Sequence, residues 1–86
     1  MKLTGKTIRN SRTIKEATVE NSDDTMSFRD ILEDCLIKLC KEIDVSVPMW
    51  LKKNTTEFVN FHKTTFSRDQ FVEKINFDRL EIRVEI

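Results

Sequence analysis

In the stretch SFRDILEDCLIKLCKEID, residues 27–44, apolar side chains recur at Phe28, Ile31, Leu32, Cys35, Leu36, Leu39, Cys40 and Ile43. That is the i, i+3, i+4, i+7, i+8 series of one helix face, the strongest periodic signal in the chain. Ser27 stands where an N-cap hydroxyl accepts from the amide three residues on, and Asp30 where a short capping-box partner belongs. Arg29, Glu33, Asp34, Lys38, Lys41 and Glu42 fill the opposite face, which water solvates. A stripe of this length needs an apolar surface to lie on, and the remaining residues must supply it.

The second clear signal supplies part of it. Leu80, Ile82, Val84 and Ile86 alternate with Glu81, Arg83 and Glu85, the pattern of a strand with one buried and one wet face. Helices are therefore expected on one side of the sheet only. Residues 2–9, KLTGKTIR, lack helical period and read as a strand, with Gly5 marking a bulge or a close approach of another element. Asn10-Ser11-Arg12 reads as a turn and residues 13–20 as a returning strand, with Thr13, Lys15, Ala17 and Val19 on one face and Ile14 on the other. Residues 21–25 form a polar loop into the capped helix.

Beyond the long helix, Pro48 is suited to the first position of a new helix, so residues 48–53 are expected to form a short helical turn. Asn54 with Glu57 three residues later reads as a second start, with Phe58 and Phe61 facing inward together, His62 beside them and Phe66 just beyond. Ser67 with Gln70 reads as a third start, burying Phe71, Val72 and Ile75. The expected fold is α+β: an N-terminal β-hairpin, one long amphipathic helix, two or three short helices, and a C-terminal strand completing a small sheet of about three strands. The 86 residues, 1–86, are read as a single domain, since a chain this short has no room for a second core. The runs PMWLKKNTTEFVNF and TTFSRDQF resemble those of small, uncharacterised conserved bacterial proteins; the resemblance covers roughly the second half of the chain and implies no activity, cofactor or site residue.

Charge narrows the function classes. Fifteen bases balance fifteen acids, so no global field steers the chain towards a polyanion. Locally the balance breaks. Residues 1–15 carry Lys2, Lys6, Arg9, Arg12 and Lys15 with no acid, residues 16–44 carry nine acids against three bases, and residues 45–68 carry four bases against one acid. Complementary surfaces within the fold account for this, and an electropositive binding face built from the first and third segments is the alternative.

For chemistry the residue set is thin. Cys35, Cys40 and His62 supply the residue types of a thiol nucleophile and base, but both cysteines lie on the core stripe among acids, where a thiolate is disfavoured. No ligand spacing suggests a metal, and the single Gly5 gives no phosphate-cradling loop; no catalytic residue, metal or cofactor is expected. Two cysteines make no disulfide framework, the first residues form no signal peptide, and no apolar run approaches the ~20 residues of a membrane span, so a cytoplasmic protein without membrane contact is expected.

Two binding readings remain. The leading one is a small non-enzymatic protein-interaction or self-associating module with its contact surface around Met49, Trp50, Lys52 and Lys53, because a partly exposed Trp marks contact surfaces. Ile37 and Val59 fall off the expected buried faces, and an open sheet edge at the terminal strand would further favour self-association. The alternative is a small nucleic-acid-binding protein using the N-terminal bases with Lys52, Lys53, Lys63 and Arg68, where cations follow phosphates and Trp50 and the phenylalanines stack on bases.

Overall fold

A computed structural model describes residues 1–85. The hairpin of β1 (Lys2–Arg9) and β2 (Arg12–Glu20) closes through Asn10 and Ser11, whose φ values of 52° and 63° are the left-handed pair that suits a two-residue hairpin turn. There follow α1 (Phe28–Glu42), α2 (Lys52–Phe61), β3 (Lys63–Ser67), a 3-10 turn (Arg68–Gln70) and β4 (Arg79–Glu85). Among the described residues the strands form one antiparallel sheet in the order β2-β1-β4-β3. The class is α+β, as the sequence implies. The sheet has a fourth strand, and two helices and a 3-10 turn replace the long helix with two or three short ones.

The alternation in the strands decides which face is buried. Leu3 in β1, Leu80, Ile82 and Val84 in β4, and Thr64 and Phe66 in β3 are buried, while Lys2, Arg79, Arg83, Glu85 and Lys63 between them are exposed. On the buried side α1 sets Cys35, Leu36, Leu39, Cys40 and Ile43 into one core with these residues and Phe58, Phe71 and Phe77. Ser27 caps α1 as its spacing predicts, its Oγ accepting from the Asp30 amide at 3.2 Å. At Gly5 helix and sheet come close together. A Cβ there would lie 2.5 Å from Leu39 Cδ2, so the residue without one lets α1 sit down on β1.

Several expectations fail for identifiable reasons. Residues 48–50 form no helical turn, and α2 begins at Lys52, so Asn54 is its third residue and not its cap. Phe58 is buried but Phe61 is 66% exposed, because the helix ends there and His62 turns the chain with φ 58° into β3. Residues 68–70 make only one 3-10 turn; Phe71 is buried, Ile75 partly so, and Val72 is 88% exposed. The terminal strand leaves no open edge, since β4 lies between β1 and β3 and the outer strands are β2 and β3. Ile86 lies outside the described residues.

Candidate functional site

The two helices cover the sheet side by side without closing on each other. Between them runs a groove of about 580 Å³, with Phe28, Leu32 and Leu36 of α1 on one wall and Thr55, Phe58 and Val59 of α2 on the other. Val47, Pro48 and Trp50, from the connection between the helices, complete it. Phe28 is 56% and Val59 70% exposed, so large apolar side chains stand at both rims. Monomeric domains rarely leave such groups contiguous without a use for them. The polar rim on α1 is Arg29 and Glu33, one turn apart.

Trp50 is held on three sides. Its ring meets Phe58 edge-on at 5.6 Å and tilts against Phe66 at 5.7 Å, and its Nε1–H donates to Thr55 Oγ1 at 2.8 Å. That is the amphipathic use of Trp: one face in the core, the polar edge satisfied, the remainder facing the groove. The ring is partly buried.

What holds the connection in place is a buried polar network. Asn54 is fully buried; its Oδ1 accepts from the Leu51 amide and from Gln70 Nε2, each at 2.9 Å. Asn54 Nδ2 donates to Thr64 Oγ1 at 2.7 Å and to the Thr65 carbonyl at 2.9 Å. Gln70 Nε2 also donates to the Met49 carbonyl at 3.0 Å, its Oε1 accepts from the Ser67 amide at 3.1 Å, and the Met49 amide donates to the Gln70 carbonyl at 2.7 Å. Thr64 Oγ1 in turn donates to Glu57 Oε1 at 2.6 Å. Every polar atom of the two amides has a partner, so the network fixes residues 49–51 in one position.

The residues singled out from sequence are divided by the fold. Met49, Trp50, Lys52 and Lys53 come together at the head of α2, where Met49, Lys52 and Lys53 are exposed. The first turn of α2 contains both lysines and no acid, so positive charge accumulates at the end of the helix that already carries the positive pole of its dipole. Lys63 lies on the other face of the sheet, opposite Arg83. Arg68 is engaged within the fold, its Nε donating to the Phe77 carbonyl at 3.0 Å and its Nη2 pairing with Asp78 Oδ1 at 3.1 Å. The N-terminal bases also diverge: Lys2 pairs with Glu85, Lys6 with Glu16, and Lys15 Nζ donates to the Ile43 carbonyl at the end of α1. Periodicity puts the groove residues Phe28 and Leu32 in the core. Leu32 is partly buried against it, whereas Phe28 stands exposed at the rim because α1 and α2 do not close on each other, which no local pattern states.

Burial pushes the Cys40 thiol up to about 11 and raises that of Cys35 as well, with Asp34 adding to the latter, so both cysteines stay protonated core residues. Among the described residues no three His, Cys, Asp or Glu side chains converge as metal ligands would, and no helix is long and apolar enough to cross a membrane. Compared with models of protein families, with curated proteins and with solved structures, the chain matches none of them.

Proposed function

We propose that this protein is a non-enzymatic protein-interaction module whose contact surface is the groove between α1 and α2. The observation that carries the reading is an apolar groove, open to solvent, whose Trp-bearing wall is held rigid by buried hydrogen bonds. A rigid, partly desolvated aromatic flanked by aliphatic side chains is the composition of an interface centre. The raised thiol pKa values favour a packing role over a nucleophilic one for the cysteines.

Site-specific photo-crosslinking tests it. A photoreactive phenylalanine analogue at position 59, on the groove, is expected to trap a protein in the producing cell; the same group at position 18, on the helix-free sheet face, is the control. No protein adduct at 59, or equal adducts at both positions, would sink the reading.

A second reading is favoured by one observation, the pair Lys52 and Lys53 beside Trp50 at an uncompensated helix N-terminus. It is nucleic-acid binding. Titration with single- and double-stranded DNA and with RNA, followed by Trp50 fluorescence, decides it. Saturable binding that weakens by orders of magnitude on raising salt to about 0.2 M promotes this reading, because phosphate contacts release counterions. The spread of the other bases over both sheet faces, several of them already paired, supports the protein partner instead.

A further inference from the structure

The groove itself suggests what fills it. We infer that its occupant is a second copy of this chain, related by a two-fold axis that lays the α2 ridge of each copy against the α1 wall of the other; the inference rests on the groove being an interaction surface.

A two-fold interface uses one patch twice, so the patch must complement itself. This one does so in shape. Val59 and Phe28 project at the two rims, while Leu36 and Phe58 are buried between them and Leu32 and Trp50 are partly covered. Projections and recesses thus lie side by side on one surface, as knobs and holes do in paired helices.

The charges complement in the same sense. Lys52, Thr55 and Val59 follow one another at i, i+3, i+7 and form a single ridge along α2, with the base at its head. Glu33 stands on the facing α1 wall, next to Arg29. Bringing the α1 wall of one copy against the α2 ridge of the other sets Glu33 against Lys52 of the second copy, and the symmetry makes that pair twice. A rim of one sign would select an oppositely charged partner. Here both signs are present, and the whole chain is neutral with fifteen bases and fifteen acids, so no field steers an oppositely charged protein to it. A balanced rim suits a copy of itself.

Size argues the same way. In 86 residues, Phe28, Val47 and Val59 at the groove and Met49 and Leu51 beside it in sequence remain exposed. A domain this small has little core to spare, and association is one of the ordinary ways such domains cover what they cannot bury alone.

Sedimentation equilibrium of the purified chain, across micromolar to millimolar concentration, tests the inference with three variants. The wild type is expected to pass from monomer to dimer. Val59→Glu, at a position exposed enough to leave the monomer folded by circular dichroism, is expected to weaken association about tenfold or more. Lys52→Glu and Glu33→Lys should each weaken it alone, and an equimolar mixture of the two should associate again, as a heterodimer with both charge pairs restored. A monomer at every concentration overturns the inference, as does a dimer indifferent to Val59→Glu or a charge-swap mixture that fails to recover. The groove reading fails separately, through the absence of crosslinks at position 59. Crosslinks there to a different protein, with a monomeric chain, keep the groove and discard the second copy.

Discussion

The two helices are attached to the sheet by opposite means. Helix α1 is seated by apolar contact, with Leu39 pressed over Gly5 and flanked by Cys35, Leu36, Cys40 and Ile43. Helix α2 shares the core through Phe58, but its start is fixed by hydrogen bonds of Asn54 and Gln70, two amides with 0% and 1% exposure. Apolar burial is non-directional and tolerates small adjustments of position. A buried amide network holds one geometry or none. The first kind of seat makes a core; the second sets the place of Met49, Trp50 and Leu51, and so the shape of the groove.

Breaking the polar seat should have the larger effect. Asn54→Ala leaves the Leu51 amide, the Gln70 amide group and the Thr65 carbonyl short of a partner, at about 1–3 kcal/mol for each group left unsatisfied. We expect a loss of about 3 kcal/mol or more in urea unfolding, taking several of those groups together. A red shift of Trp50 emission at zero denaturant should accompany it as residues 49–51 loosen. An unchanged midpoint would mean that water replaces the amide without cost.

The apolar seat should prove more forgiving and, unlike the other, repairable. Gly5→Ala forces its new methyl into Leu39 and should cost about 1–3 kcal/mol, the usual range for overpacking. In a Leu39→Ala background the same change enters a vacated space and should be neutral or stabilising. Additive effects in that double-mutant cycle would show that the two residues do not meet.

The smallest effect belongs to the surface that joins neither seat. The Lys38 ammonium at 2.8 Å, and after it the Asn21 amide, hold the Asp34 carboxyl below its ordinary value of 3.8. A lowered carboxyl pKa contributes stability above the ordinary value and loses it as pH falls through the lowered one. The loss is therefore confined to pH below about 4. Asp34→Asn should flatten the acid limb of a stability–pH curve slightly and leave the rest of its shape unchanged, as measured by thermal unfolding across pH.

The same contrast explains what could be read in the sequence. The seat of α1 was legible because periodicity is a local record of burial: Cys35, Leu36, Leu39, Cys40 and Ile43 were expected inside and are there. Strand β4 was legible by alternation, and the hairpin by the missing helical period of residues 2–9 and the turn residues after it. Strand β3 was not, since Thr64 and Phe66 sit within runs that also carry cap signals, and those signals read as helix starts. Gln70 is expected as the partner three residues after Ser67, and its Oε1 does accept from the Ser67 amide; Asn54, expected as an N-cap, instead holds the third position of α2 and accepts from the Leu51 amide. The bond between them, across sixteen positions, follows from the fold and from no local spacing. Trp50 could be picked out as half-covered, but Phe28 and Val59 form a groove with it only because α1 and α2 stand apart.

The order of strands in the sheet also bears on how the chain is made. The two middle strands, β1 and β4, are among the first and the last of the described residues to leave the ribosome. At about 5–20 residues per second, the β1–β2 hairpin waits roughly 3–12 s for residue 79 to be added. Throughout that interval the side of β1 that will pair with β4 has no strand against it, an edge on which another nascent chain could template. A holding chaperone, or fast codons between β2 and β4, would matter more to the yield of this protein than to its final stability.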